Sequence, residues 1–299
     1  MKVVGSDGLA LEVKEYKGHD PKALLICVHG MAEHRGRYDE LAAYLKEQGY
    51  VVLTYDHRGH GQSILRGERK GYLGVDGFNK MVRDLEAVVC EAKKQYPLLP
   101  LYLFGHSMGS FVVQRYIQVH HDVNGVILMG SGYKPKGLSF GILLSGLMVK
   151  LGRGKREGYL IDAILNREYN RPFRPNRTTF DWLSRDDRSV DRYRDDPDCG
   201  FVMSYQFYYD FFRGIRTLQK DKNLRRIPPK LPIFILSGLH DPVGEMGKKI
   251  QRLYEAYRTM TSHIDLKLYK DARHELLHEL NKEEVFRDLL HWLEKQRVR

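Results

Sequence analysis

Leu101-Tyr102-Leu103-Phe104-Gly105-His106-Ser107-Met108-Gly109 runs directly into Ser110-Phe111-Val112-Val113-Gln114-Arg115-Tyr116-Ile117. Residues 101–104 form an uninterrupted apolar run, the pattern of a strand buried on both faces. Residues 110–117 space their apolar members as a helix does. Between them sits a Gly-x-Ser-x-Gly pentapeptide, and strand–turn–helix is the context that lifts a serine hydroxyl to the tip of a strained turn. Strand and helix can approach only if the positions two residues either side of Ser107 lack a Cβ, and Gly105 and Gly109 supply that. The pentapeptide alone is a weak signal, so the rest of the chain has to supply what Ser107 needs.

Upstream, residues 3–16 alternate around Asp7-Gly8, a hairpin signal. Residues 23–28 are a second continuous apolar run, ending in His29-Gly30-Met31-Ala32-Glu33-His34. The pattern then predicts a helix over 38–48 stopped by Gly49, a strand over 50–55, a helix over 78–96 closed by Pro97, and a strand over 123–129. This alternation implies an α/β fold with a mostly parallel central sheet flanked by helices on both faces. The rhythm breaks at Tyr133 and resumes with a strand over 231–238, a helix over 247–260, a strand over 264–269 and a helix over 283–296. We therefore expect a core of residues 1–132 and 227–299, interrupted by a helical cap or lid over 133–226.

The chain has 299 residues, 42% hydrophobic and 11% aromatic, as a compact globule requires. Its three cysteines, Cys27, Cys90 and Cys199, show no pairing pattern, which suits a reducing compartment, and Cys27 in its apolar run reads as core packing. No signal-peptide pattern opens the sequence, so a cytoplasmic location is expected. Net charge is +11, and residues 134–230 hold 21 Lys and Arg against 12 Asp and Glu, +9 of that total. Such a surface fits an anionic membrane or an acidic substrate, or merely a solvated face. No nucleic-acid-binding signature accompanies it, so no nucleic-acid partner is expected.

A serine needs a histidine to take its proton and an acid to orient that histidine. In hydrolases with this turn the chain order is Ser, acid, His. Asp241 follows the 231–238 strand and His274 follows the last strand, both at carboxyl ends of parallel strands. His240 is a rival base, and Asp241 could be an ordinary loop aspartate before Pro242. His274-Glu275-Leu276-Leu277-His278 also spells the H-E-x-x-H zinc pattern, which would need a third protein ligand. Two N–H donors must hold the oxyanion. Met108 at the helix N-terminus offers one, and Met31 after His29-Gly30 offers the other, unless that segment is a simple turn.

Residues 29–38 (His29-Gly30-Met31-Ala32-Glu33-His34-Arg35-Gly36-Arg37-Tyr38), residues 56–63 (Asp56-His57-Arg58-Gly59-His60-Gly61-Gln62-Ser63), the Ser107 pentapeptide and the Asp241 and His274 contexts together resemble the monoacylglycerol lipase/lysophospholipase group of α/β-hydrolases, filed with serine aminopeptidase-like (S33) hydrolases. The resemblance spans 23–132 and 231–280. It implies a serine ester hydrolase that forms an acyl-enzyme on a single-chain lipid ester, with Ser107, Asp241 and His274 catalytic and no metal or cofactor. It also implies that Glu33, His34 and Arg37 shape the oxyanion loop beside His29, Gly30 and His106. A proline-type aminopeptidase, a small-ester carboxylesterase and a lipid-binding protein without turnover are the alternatives. The insertion matches the family only in position and helicity. Its apolar stretch 138–149 is too short to span a bilayer and reads either as a core-packed helix or as a lid that lines an acyl tunnel and touches anionic membrane. The aromatic cluster Tyr205, Phe207, Tyr208, Tyr209, Phe211 and Phe212 either walls the same pocket or packs the lid.

Overall fold

The structure is a computed structural model and describes residues 2–5 and 7–297. Eight strands form one sheet in the order β1-β2-β4-β3-β5-β6-β7-β8: Lys2–Val4, Ala10–Lys17, Tyr50–Tyr55, Ala23–Val28, Leu101–His106, Gly125–Met129, Ile233–Gly238 and Ile264–Tyr269. β1 and β2 pair antiparallel, as do β2 and β4, and every other neighbour is parallel. The hairpin and the buried parallel strands are those the sequence predicts.

Side-chain alternation gives the sheet two apolar faces. Leu24, Ile26 and Val28 of β3 enter one core cluster, while Leu25 and Cys27 enter the other. The first face is covered by α2 (Gly77–Gln95), α3 (Met108–Tyr116) and α9 (Lys248–Arg258). The second is covered by α1 (Asp39–Glu47) and α10 (Lys282–Arg297). All six residues of β3, β4, β5 and β7 are buried, which is why these strands read as mostly apolar runs without alternation.

Between β6 and β7 the chain forms α4 (Leu138–Met148), a π-helical turn (Val149–Arg153), α5 (Tyr159–Asn170), α6 (Asp187–Asp195), α7 (Tyr205–Leu218) and α8 (Asp221–Leu224). α7 carries Phe207, Phe211 and Ile215 into the same core cluster as α2 and α3, so this segment packs on the first face. α4 is half engaged. Leu138, Leu144 and Met148 pack inward, while Leu143 and Leu147 face outward. No helix among the described residues is long and apolar enough to cross a membrane.

Candidate active site

Strand register brings the separated motifs together. Val28 of β3 pairs with Gly105 of β5, so the His29–Met31 turn emerges beside Ser107. A Cβ on Gly109 would lie 2.0 Å from the Val28 carbonyl oxygen, so only glycine lets α3 settle against β3. Ser107 itself adopts φ +49°, ψ −117°, a strained left-handed turn. The turn is held from beneath: Ser107 N–H donates to Met129 O (2.9 Å), and Ser110 Oγ donates to Ser107 O (2.6 Å).

On the far side of the sheet, β7 pairs with β8 through Gly238 and Tyr269, and both loops run past that pair. His240 N–H donates to Ala272 O (2.9 Å), locking the two loops together. Asp241 and His274 thereby become neighbours, with His274 Nδ1 3.0 Å from Asp241 Oδ1. Asp241 also accepts from Val243 N–H (2.9 Å) and Ser237 Oγ (3.2 Å), which fixes its carboxylate. With Nδ1–H committed to Asp241, Nε2 of His274 is the nitrogen available to a proton. The imidazole is flanked by the rings of His106 (4.9 Å between centroids) and Trp182 (5.0 Å). Ser107 and His274 line one cavity, and no hydrogen bond joins them among the described residues. Such contacts commonly tighten only around substrate.

His240, the rival base, is exposed and contributes its backbone. The H-E-x-x-H pattern is not assembled as a ligand set. His274 faces Asp241, Glu275 Oε2 accepts from Arg37 Nη2 at 2.5 Å, and His278 lies in a short 3-10 turn, its imidazole pushed well below the ordinary histidine value by burial.

The expected oxyanion donors, Met31 N–H and Met108 N–H, have no partner among the described residues. The turn carrying Met31 is braced by buried polar groups. Glu33 Oε1 accepts from Gly30 N–H (2.5 Å), Tyr38 OH (2.9 Å) and His106 Nδ1 (3.1 Å), while its other oxygen pairs with Arg37 Nε (3.1 Å). Burial opposes the Glu33 charge, but the bond from His106 and the charges of His106 and Arg37 overcome it, holding the carboxyl well below its usual range. Burial raises Glu275, partly offset by Arg37. His29 accepts from His57 N–H at Nε2 (2.9 Å), leaving Nδ1–H to donate to Gly30 O (2.7 Å). His60 Nε2 accepts from Ala32 N–H (3.3 Å). Burial drives His29 down to about 4 and His60 to about 3, so both stay neutral.

His34 is turned away from this centre. Its Nδ1 accepts from Gly36 N–H (3.1 Å), and Nε2–H donates to Asp196 Oδ2 (3.0 Å). With Asp196 and Cys199 it forms the one potential metal-ligand cluster among the described residues, ligand atoms within 4.8 Å of one another. The proton on Nε2 is the tautomer opposite to that of a ligand nitrogen on this side.

Two cavities meet at Met31, Ser107 and Trp182. The larger, about 510 Å³, is apolar, walled by Phe111, Leu144, Ile161, Tyr208, Phe211 and Phe212. The aromatic cluster of α7 thus divides: Tyr208, Phe211 and Phe212 reach the cavity, and Tyr205 and Phe207 are buried away from it. The smaller, about 50 Å³, is mixed, with Glu33, His106, Asp162, Asn166 and Glu275 on its walls beside Met31, Phe180, Trp182, Leu183, Tyr193 and Phe201. Asp162 is held by Asn166 Nδ2 (2.9 Å) and Tyr208 OH (3.3 Å), and burial raises its carboxyl above the ordinary value. Trp182, Tyr193, Asp162 and Asn166 carry no sequence signal, because all four come from the insertion, whose local patterns say nothing of which face meets Ser107.

The family described as serine aminopeptidase, S33 matches residues 19–281. The chain is 32% identical to a monoglyceride lipase of Rattus norvegicus over 97% of its own length and 87% of that protein. It is 26% identical to a monoacylglycerol lipase of Mycolicibacterium smegmatis over 92% and 89%. Among solved structures, a thermostable carboxyl esterase from Bacillus coagulans in complex with glycerol superposes with TM-score 0.93 at 24% identity, covering 99% of this chain and 98% of that one. A monoglyceride lipase variant from Saccharomyces cerevisiae with a substrate analogue gives TM-score 0.77 at 21% identity, covering 97% and 92%. The fold is that of α/β-hydrolase esterases and lipases, and the chain belongs to the serine aminopeptidase S33 family of hydrolases.

Proposed function

We propose that the protein is a serine hydrolase that cleaves carboxylic esters of single-chain lipids. Ser107 attacks the ester carbonyl, His274 takes the serine proton at Nε2 and returns it to the departing alcohol, and Asp241 holds the imidazole in that tautomer. Met31 and Met108 N–H groups hold the oxyanion, with the α3 dipole behind Met108. Water then attacks the acyl-enzyme carbonyl while His274 takes its proton, and His274 returns that proton to Ser107 Oγ as the carboxylic acid departs. The observation that carries the reading is the meeting at Ser107 of an apolar cavity of about 510 Å³ with a smaller one that has Asp162, Asn166 and Glu275 among its walls. The first fits an acyl chain and the second fits a leaving alcohol. The relatives named monoglyceride lipase support the same substrate class.

In this reading residues 133–226 are a lid over the acyl cavity, and a cytoplasmic enzyme meets its substrate at an anionic membrane surface. The exposed Leu143, Leu147 and Leu151 form an apolar ridge, with Lys150 and Arg153 beside it to meet anionic headgroups. A fluorophosphonate probe tests the chemistry. Labelling of the wild type and none of Ser107→Ala is expected, while an unlabelled wild type, or labelling that survives the substitution, overturns it.

A further inference from the structure

The positive charge of the insertion is not spread over it. Residues 213–230 carry Arg213, Arg216, Lys220, Lys222, Arg225, Arg226 and Lys230 against Asp221 alone, and so hold six of the nine excess positive charges of residues 134–230. All seven cations are exposed, and none has an ion-pair partner among the described residues. Elsewhere in the insertion cations are spent locally: Lys155 on Glu68, Arg177 on Asp191, Arg185 on Glu279 and Arg194 on Asp195.

The stretch is held rigidly. Ile215, Leu218, Leu224 and Ile227 alternate with the cations and are buried in the core. Gln118 Nε2 donates to Leu218 O (2.8 Å), and Asn223 Nδ2 donates to Thr217 O (2.6 Å). Like charges are kept close. Burial and the charge of Arg226 push the guanidinium of Arg115, on α3, below its ordinary value. Repulsion fixed into a rigid surface is relieved only by an anion from outside.

This field borders both the apolar cavity and the α4 ridge. Ile215 lines the cavity from within, while Arg216 beside it faces solvent. Gln219 accepts from Lys134 N–H (2.7 Å) and donates to Gly132 O (3.2 Å), and the residues that follow, Pro135, Lys136 and Gly137, line the cavity too. Arg213 lies over the Tyr209 ring (5.0 Å), and that ring packs against Gly146 of α4, between Leu143 and Leu147. A bilayer with negative headgroups offers partners to both surfaces, an apolar interior to the ridge and anions to the cations. A nucleic acid matches the cations alone, and residues 213–230 hold no aromatic side chain on which a base could stack.

Resting on the proposed membrane contact of the hydrolase, we infer that residues 213–230 are its electrostatic anchor, binding the negative headgroups of a lipid surface and turning the rim of the acyl cavity toward it. The α4 ridge is the apolar half of the same contact.

The test is co-sedimentation of the full chain with vesicles of phosphatidylcholine alone and of phosphatidylcholine with about one third phosphatidylserine. Wild-type binding to the anionic vesicles should fall by about tenfold or more between about 50 and 300 mM salt. Arg216→Gln/Lys220→Gln/Arg225→Gln/Arg226→Gln should weaken it by about 100-fold and leave binding to neutral vesicles unchanged. Arg171→Gln/Arg177→Gln/Arg192→Gln/Arg194→Gln removes the same charge from paired cations and should weaken it by less than about fivefold. Anionic binding unmoved by salt or by the first variant overturns the inference, as does an equal loss in both variants. Equal binding of the wild type to the two vesicle types keeps the ridge contact and overturns the anchor; binding to neither overturns both. An oligoribonucleotide bound more tightly than the anionic vesicles assigns the field to nucleic acid and overturns it too. Turnover of p-nitrophenyl butyrate, which needs no membrane, should be equal in all three proteins, and its absence from the wild type overturns the hydrolase reading instead.

Discussion

The indole of Trp182 leans on the imidazole of His274, ring centroids 5.0 Å apart and planes tilted by 40°. Trp182 belongs to the insertion and His274 to the loop after β8, so the insertion supplies one wall of the proposed base. That contact is reinforced nearby: Arg273 donates through Nη1 to the carbonyls of Asp181 and Ser184 (2.5 and 3.0 Å), and Glu279 accepts from Arg185 Nε (2.8 Å). In the proposed acylation His274 would become an imidazolium, and the π face of Trp182 would stabilise that charge. Trp182→Ala is expected to lower kcat on p-nitrophenyl butyrate by roughly three- to tenfold, and Trp182→Phe by less. Equal rates for wild type and both variants would remove Trp182 from the mechanism.

The Asp241–His274 bond makes a sharper prediction. Asp241→Asn keeps the shape of the side chain but presents the wrong hydrogen-bonding pattern to Nδ1, so kcat should fall by about 10,000-fold. Circular dichroism establishes that the variant is folded. A folded variant within tenfold of wild type would show that His274 is oriented by something else.

Gly109→Ala should not give an active protein. The added Cβ would sit 2.0 Å from Val28 O and 2.6 Å from His29 O, both backbone atoms of the strand and turn that carry the oxyanion loop. Either the protein fails to accumulate in folded form or α3 shifts and Ser107 loses its place. The expected result is a lowered thermal midpoint together with loss of fluorophosphonate labelling. Wild-type labelling at wild-type stability would contradict the close approach.

Acid should destabilise the fold before most carboxylates titrate. His29 and His60 are held down to about 4 and about 3 by burial, and His57 and His278 are depressed by the same cause. In the unfolded chain each takes up its proton near 6.5. Between those values the unfolded state binds more protons than the folded one, so stability is full above about pH 6.5 and declines as pH falls toward 4. Urea midpoints at pH 7.5, 5.5 and 4.5 should fall in that order, and the decline should weaken in His60→Gln. A midpoint unchanged across the range would mean that these imidazoles are protonated in the folded state.

The ridge on α4 predicts membrane behaviour. The wild type should co-sediment with anionic vesicles more than with neutral ones, and Leu143→Glu/Leu147→Glu should cut the anionic binding by about tenfold or more. Neither residue lines the acyl cavity, so the comparison isolates the outer face of the helix. Equal, negligible binding to both vesicle types by the wild type would leave the ridge without a lipid role.

Much of this architecture can be read along the chain because it depends on local patterns. Buried parallel strands such as Ala23–Val28 and Leu101–His106 need apolar side chains on both faces, which leaves an unmistakable run. The Ser107 turn needs glycines at fixed offsets, and the order Ser107, Asp241, His274 follows from where loops leave a parallel sheet. The insertion obeys no such rule. Its helices can be recognised by period, but α4 divides into an inward and an outward face, and α5 divides between two cavities. Neither division has a periodic signature, because each depends on what lies opposite in space.

The sequence by itself determined the strand–turn–helix around Ser107, the residues able to serve it and the family to which they belong. Those depend on backbone constraints that act within a few residues. Tertiary structure alone decided that His274 is packed between His106 and Trp182, that His34 faces Asp196 rather than the oxyanion turn, and that Asp162 lines the pocket beside Ser107 while most of the basic side chains of the insertion lie elsewhere. Net charge sums over a segment without regard to direction. A pocket's charge is set by the few side chains that face it, and only the packing of α5 over the sheet makes Asp162 one of them.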